Sequence, residues 1–425
     1  MPPIRFIHAA DLHLDAAFSG LSRDIPADFA ERLRTATFTT FRRLLDLCER
    51  ESPDFLLLAG DVYNQEDASV SAQLALRDGF RRLESLSIPV FLVHGNHDPL
   101  ASRLRSVRWP GNVTVFGELP DAVPVFRKGE GTPFAIIHGA SHASGRETRN
   151  LAALFRRTEA CGLHVGLLHA TPGDADGVAR YAPFSQEDLK ASGMDYWALG
   201  HIHDRREVCR EPLAAYPGCT QGLHINEPGE KGCLLVTAEA RPDGGYAVRT
   251  SFRPLGPAVW KTLDMDLGGA ASLDELENRL RTGLDRAAAE VWSGCEMLLV
   301  RLRLQGRTEL DGLLRKGTTC AELADRLRED GSGVPRIWIK DIDVATRPCV
   351  ERGALLERED LLGEVFRLSE AARTASGLQA LREGPLAPLF AHARAGKALE
   401  PLTDEELARL LDDAESLCLD LLEND

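Results

Sequence analysis

The stretch DFLLLAGDVYN, residues 54–64, decides how the chain is read. Five apolar residues in a row, without the alternation of a half-exposed strand, describe a strand buried on both faces. The run stops at Gly60 and passes into Asp61, so a carboxylate stands where the apolar segment ends. IRFIHAADLHLD (4–15) upstream and PVFLVHGNHD (89–98) downstream have the same form. Between the first two, Leu33, Phe38, Phe41, Leu44, Leu45 and Cys48 share one helical face; before the third, Leu74, Leu76, Phe80 and Leu83 share another. The order β-α-β-α-β predicts an α/β fold with right-handed crossovers and a largely parallel sheet. Further strands are expected at PFAIIHGA (133–140), LHVGLLHA (163–170), DYWALGHIH (195–203), GCLLVTAE (232–239) and YAVRTSFRPL (246–255).

Polar residues punctuate these strand ends: Asp11 and His13, Asp61, Asn96 to Asp98, His169, and His201 with His203. In an open α/β sheet the carboxyl ends of the strands share one edge, where sites form. Residues two apart on extended chain point the same way. Asp11 with His13, and His201 with His203, are therefore expected to act as two-toothed clamps. Asp11, His13, Asp61, Asn96, His169, His201 and His203 supply two carboxylates, an amide and four imidazoles, too many ligands for one ion. Without a thiolate the set suits two divalent cations, manganese first, with iron or zinc as alternatives. A pair of ions about 3.5–4 Å apart bridged by one carboxylate serves displacement at phosphorus. His97 follows Asn96 directly, so its ring is expected to face the substrate as the catalytic histidine. Asp98 is expected to orient His97 or His13 by a hydrogen bond.

The composition bounds the reading. The 425 residues are 44% hydrophobic and 27% charged, as in an ordinary globular protein. No apolar stretch approaches the roughly 20 residues that cross a bilayer. The start, MPPIRFIHAADLHLD, reads as a strand rather than a signal peptide, so a cytoplasmic protein with no membrane role is expected. Nine cysteines without a CxxC pair fit reduced thiols. A net charge of −15 opposes bulk attraction to nucleic acid, which leans on Lys and Arg. Any DNA contact must be local, and Arg103, Arg105 and Arg108 after GNHD, with Arg205, Arg206 and Arg210 after GHIH, are the candidates.

DLHLD, GDVYN, GNHD, LLHA and GHIH, in this order, resemble the motifs of the calcineurin-like metallophosphoesterases. FIHAADLHLD, VFLVHGNHDP, DYWALGHIH and YPGCTQGLHINEPGEKG are similar to the DNA repair exonucleases of the SbcD and YhaO type. The resemblance covers roughly residues 4–236 and implies a four-layer core, with central sheets flanked by helices. It implies one ion on Asp11, His13, Asp61 and His203, and another on Asp61, Asn96, His169 and His201. It further implies manganese-dependent hydrolysis of DNA phosphodiesters, a coiled-coil ATPase partner of the SbcC/YhaN type, and a possible homodimer. Asn64, expected to support the metal ligands from behind, stands where nuclease relatives often carry Asp or His. It cannot exchange a proton at neutral pH, which puts the efficiency and polarity of exonuclease action in question. Two rival readings are a phosphoesterase for small nucleotides or phosphoproteins, and a DNA-binding scaffold that does not cut.

The pattern divides the chain into a metallophosphoesterase domain (1–255), a smaller α+β capping domain (256–347) and a helical C-terminal segment (348–425) suited to partner docking. That segment carries a capping box, Thr403 with Glu406, ahead of Leu407, Leu410, Leu411, Ala414 and Leu417. His8 and His94 lie within strands, and they and His138, His142 and His164 are read as core or supporting residues; His224 could approach the site from its loop.

Overall fold

Residue Phe55 opens the strand that the sequence marks as buried on both faces, and the reason for that burial is a second sheet. The computed structural model describes residues 2–21, 25–64, 69–101, 107–173, 180–242, 244–329, 333–349, 352–391 and 402–422. Its elements begin β1 (Ile4–Ala9), α1 (Ala27–Arg34), α2 (Ala36–Glu51), β2 (Phe55–Ala59), α3 (Val70–Ser85), β3 (Val90–Val93) and β4 (Val113–Val115). They continue β5 (Asp121–Val125), β6 (Ala135–Ala140), β7 (Leu163–His169), α4 (Gln186–Ala191), β8 (Tyr196–Gly200), β9 (Arg206–Arg210), β10 (Leu213–Tyr216), β11 (Gly232–Ala240) and β12 (Tyr246–Pro254). These strands make two six-stranded sheets, ordered β12-β11-β1-β2-β3-β4 and β5-β6-β7-β8-β10-β9. The pairs β1–β2–β3–β4 and β6–β7–β8–β10 are parallel, while β11, β12, β5 and β9 pair antiparallel at the margins.

The largely parallel sheet read from element order and the central sheets implied by the resemblance are two, each parallel at its centre. Side chains of β2 alternate between two apolar layers. Phe55, Leu57 and Ala59 face the second sheet, where they meet Ile137, Val165, Leu167 and Tyr196. Phe6 stacks on Phe55 at 4.7 Å between ring centroids and Phe91 meets Phe55 edge-on at 5.9 Å. Leu56 and Leu58 face the other way, with Phe41, Leu44 and Leu45 of α2 and Leu76, Phe80 and Leu83 of α3. Leu74, expected on that inner face, is exposed. On the far side of the second sheet Leu168, Trp197 and Leu199 are covered by Phe155 and by Leu189 of α4. Helix, sheet, sheet, helix is the four-layer arrangement. Ile7 is fully buried in the helix-side layer, so Ile7→Val, which removes one methyl group without changing strand preference, should lower stability by about 1 kcal/mol. The midpoint of urea unfolding measures it.

Next come β13 (Ala258–Asp266), α5 (Leu273–Glu290), β14 (Met297–Gln305), β15 (Arg307–Thr308), α6 (Asp311–Leu314), α7 (Thr319–Glu329), β16 (Arg336–Val344) and β17 (Arg347–Pro348). Strands β13, β14 and β16 form a three-stranded sheet. The helical end comprises α8 (Arg352–Leu356), α9 (Leu361–Ala372), α10 (Ala375–Glu383), α11 (Ala387–Ala391) and α12 (Asp404–Leu422). Packing groups residues 1–266, 277–304 and 315–345 as one compact unit, and 267–276, 305–314 and 346–425 as another. In the second unit Leu355, Leu362, Phe366 and Leu419 make a small core. Arg352 and Arg373 both pair with the buried Glu415, at 2.6 and 3.1 Å. The capping box forms: Glu406 accepts the Thr403 N–H at 2.7 Å and the Thr403 hydroxyl accepts the Glu406 N–H at 3.2 Å. Of the leucine stripe, Leu407 is buried while Leu410 and Leu417 are exposed.

Candidate active site

Each strand that ends in a polar residue stops at the same edge, and the backbone turns sharply there. Asp11, His13, Asp61 and His201 have φ of 52°, 41°, 49° and 102°. Non-glycine residues rarely hold such angles, and where they do the surroundings over-determine them. The Asp11 N–H donates to the Gly60 carbonyl at 3.1 Å and the His13 N–H to the Asp61 carbonyl at 3.0 Å, locking the β1 and β2 loops together. Two glycines make room. A Cβ on Gly95 would overlap Asp61 Oδ1, and one on Gly200 would overlap the Ala59 carbonyl oxygen. The glycine of GNHD and that of GHIH are therefore set by close approach.

This geometry keeps Asp11 and His13 on one ligand group, as the clamp expectation has it, and separates His201 from His203. Alternation holds for extended chain, whereas β1 and β8 end at Ala9 and Gly200 and the residues beyond are left-handed or irregular. His201 and His203 consequently part. Asp11, His13 and His203 form one group whose ligand atoms lie within 4.8 Å of one another; Asp61, His169 and His201 form another by the same measure. Asn96 joins the second, its Oδ1 3.1 Å from His169 Nε2. Asp61 Oδ2 lies 3.3 Å from His169 Nε2 and 4.0 Å from His13 Nε2, between the two groups. The His201 N–H is bound by the Asp11 carboxylate at 3.1 Å.

The rings are oriented from behind. His13 Nδ1 is 2.6 Å from Asn64 Oδ1, an atom that only accepts, so Nδ1 carries the hydrogen and Nε2 faces inward bare. His169 Nδ1 donates to the Ala59 carbonyl at 2.9 Å, and His203 Nδ1 bonds Glu227. The inward Nε2 atoms of His13 and His203 are then 3.2 Å apart, an approach that is repulsive unless a cation or proton lies between. Asp11 and Asp61 are buried beside them. Burial opposes a charged His203, but Glu227 and Asp11 raise it above its ordinary value. Burial opposes a charged His169, yet Asp61 and Asp11 prevail and lift it to about 9. Burial raises Asp11; for Asp61 burial acts the same way, but His169 and His13 outweigh it and hold the carboxyl below its usual range. Inward nitrogen lone pairs around buried carboxylates fit divalent cations.

The remaining residues separate clearly. His97 is exposed at the rim, its N–H donated to Asp61 Oδ1 at 2.9 Å and its ring 5.2 Å from that of His13. Asp98 is turned from the role expected of it. Its fully buried carboxylate accepts the N–H of Val62 at 3.0 Å and of Gly95 at 2.7 Å, and lies 3.3 Å from His94 Nδ1. It aligns the loops that carry Asp61 and Asn96 rather than a ring of His97 or His13. Asn64, read from sequence as a departure, is the acceptor that orients His13. Arg103 and Arg105 fall outside the described residues, Arg108 is exposed, and Arg205 lies over the Phe252 ring at 3.9 Å. His142 backs the site by donating from Nε2 to the His169 carbonyl at 2.6 Å. His8 bonds Tyr196, and His138 bonds His164, as supporting residues do. Glu227 was not singled out by sequence reasoning; it sits in the QGLHINE loop with no periodicity to mark it.

A four-layer α/β fold whose strand ends gather carboxylates and imidazoles into two adjoining groups defines a metal-dependent phosphoesterase. Comparison with known proteins narrows the class. The family model for calcineurin-like phosphoesterases matches residues 4–205, and that for the middle domain of the metallophosphoesterase YhaO matches 260–347. An uncharacterized metallophosphoesterase, YhaO of Bacillus subtilis, is 34% identical over 388 residues, 90% of this chain and 91% of its own. The DNA double-strand break repair protein Mre11 of Aeropyrum pernix is 26% identical over 68% of this chain and 69% of its own. That of Haloferax volcanii is 24% identical over 87% and 78%. The chain belongs to the calcineurin-like metallophosphoesterases and carries a YhaO middle domain. Among the described residues no helix is long and apolar enough to cross a membrane.

Proposed function

We propose that this protein is a two-metal DNA phosphodiesterase, an exonuclease with possible endonuclease action, working as the nuclease subunit of a DNA repair complex. The observation that carries the reading is the pair of Nε2 atoms of His13 and His203 facing one another at 3.2 Å, with Asp61 lying between that group and the one of His169, His201 and Asn96. Asp11, His13, Asp61 and His203 would hold one ion, and Asp61, Asn96, His169 and His201 the other. Manganese suits this oxygen and nitrogen set. When bound, such a pair polarises the phosphoryl oxygens and lowers the pKa of water at neutral pH. The chain's own residues do the rest. Asp61 holds the His97 backbone beside the ion-binding groups, and the His97 ring, exposed at the rim, delivers a proton to the leaving oxygen. Water supplies the hydroxyl that ends on phosphorus, so hydrolysis balances with one proton to the leaving alcohol.

The substrate class is supported by the Mre11 relatives, which align over most of this chain. Partnership with DNA and a coiled-coil ATPase of the SbcC/YhaN type, a cytoplasmic location, and division into nuclease, capping and helical segments belong to the same proposal. The net charge of −15 favours a second reading, a phosphoesterase for small nucleotides. Manganese-loaded protein should be incubated with labelled linear duplex, hairpin and single-stranded DNA, and with a small phosphodiester. Cleavage of DNA, weakening only gradually as salt rises because few cationic contacts hold it, supports the first reading. Turnover of the small diester with every DNA intact supports the second.

A further inference from the structure

The loop between β10 and β11 holds His203 by both backbone and side chain. Glu227 is buried, and its Oε1 bonds His203 Nδ1 while lying 3.1 Å from His224 Nε2; its Oε2 accepts the Leu223 N–H at 2.7 Å. Lys231, also buried, donates from Nζ to the His203 carbonyl at 3.0 Å. The loop is fixed on its other side to β13. Gln221 Nε2 donates to the Ala258 carbonyl at 2.8 Å and its Oε1 accepts the Ala258 N–H at 3.2 Å. Trp260 Nε1 donates to the Gly222 carbonyl at 3.1 Å, and the Gly229 N–H to the Trp260 carbonyl at 2.9 Å. The carboxylate is thus a fixed acceptor rather than a mobile neighbour.

The two facing rings are supported unequally. His13 leans on a neutral amide, Asn64, and His203 on a carboxylate. A carboxylate behind an imidazole fixes its tautomer and makes the inward nitrogen a stronger donor, and losing such a partner costs about 10–100-fold in metal affinity. We propose that Glu227 is the positioning residue for His203, and that through it the β10–β11 loop sets the affinity of the cation position formed by Asp11, His13 and His203. This rests on the metal-centre reading above. Cys219 offers the competing arrangement, since its thiol, Glu227 and His203 also lie within 4.8 Å of one another.

Calorimetric titration of the full chain with Mn²⁺, and the visible spectrum with Co²⁺, decide between these. Wild type should take two ions. Glu227→Ala should weaken one of them about 10–100-fold and leave the other unchanged, the surviving tight site showing that the protein is folded. Glu227→Gln, whose amide oxygen still accepts from Nδ1 but carries no charge, should recover part of that affinity and fall short of wild type. Cys219→Ala should bind both ions as wild type does. Two unaltered sites in Glu227→Ala would overturn the proposal. So would a third ion in wild type, with a thiolate band in the Co²⁺ spectrum, that both Glu227→Ala and Cys219→Ala abolish, because Glu227 would then be a ligand. Absence of any binding by wild type would overturn the metal centre itself, an outcome distinct from the other two.

Discussion

Asp61→Asn is expected to reduce phosphodiester hydrolysis on the order of a thousandfold, about 4 kcal/mol in the barrier, and to leave one tightly held ion where wild type holds two. The amide keeps the shape of the side chain, and its oxygen can still accept the His97 N–H that Asp61 Oδ1 accepts at 2.9 Å. What is lost is the negative charge at Oδ2, which stands 3.3 Å from His169 Nε2 and 4.0 Å from His13 Nε2. An NH₂ group there points hydrogens at the place where two cations would be shared, so the second ion meets repulsion without compensation. Stability should fall as well. His169 and His13 outweigh burial and hold the Asp61 carboxyl below its usual range, so its charge stabilises the metal-free fold at neutral pH. The amide gives up that attraction and leaves His169 without its nearest carboxylate, so the metal-free variant should melt below metal-free wild type. Ions that bind the folded state raise its stability by mass action, and this gain should shrink in the variant. Thermal unfolding with and without Mn²⁺, beside the rate measurement, tests both halves. A variant that keeps two ions and full activity would remove Asp61 from the centre.

The sequence displays the strand ends well because a buried strand is a short, conspicuous object. Each apolar run had to be followed by something that stops it, and Asp61, Asn96, His169 and His201 are those stops. It does not display how the chain leaves the strand. The alternation rule for Asp11 with His13, and for His201 with His203, assumes extended backbone, and left-handed angles at Asp11, His13 and His201 are set by hydrogen bonds between distant loops. Two of the edge strands were invisible for a different reason. Strands β4 and β9 are short and at most half-buried over most of their length, so they lack the apolar run that marks β2. Asn64 and Asp98 show the same divide. Their proximity to the motifs was legible, but which atoms they serve depends on packing across β1, β2 and β3. Glu227 lies beyond sequence reasoning altogether, being an isolated acid whose partners are 24 and 4 residues away.

The acid role of His97 leads to a result that depends on the substrate. His97→Ala should slow cleavage of a DNA phosphodiester by about 10²–10⁴-fold, the usual contribution of a positioned proton donor. The same variant should lose much less against bis(p-nitrophenyl) phosphate, because nitrophenolate departs without needing a proton. Metal content should stay at the wild-type value. The ring of His97 is exposed at the rim, and its tie to the centre is the backbone N–H to Asp61, which alanine retains. A histidine that served only to bind phosphate would behave otherwise: both substrates would suffer alike, and mainly in KM. A histidine that served as a ligand would lose an ion. Rates on the two substrates, read with the ion count, therefore separate three roles in one variant. Equal losses on DNA and on the nitrophenyl ester, with two ions retained, would remove the proton from His97 while leaving the rest of the centre standing.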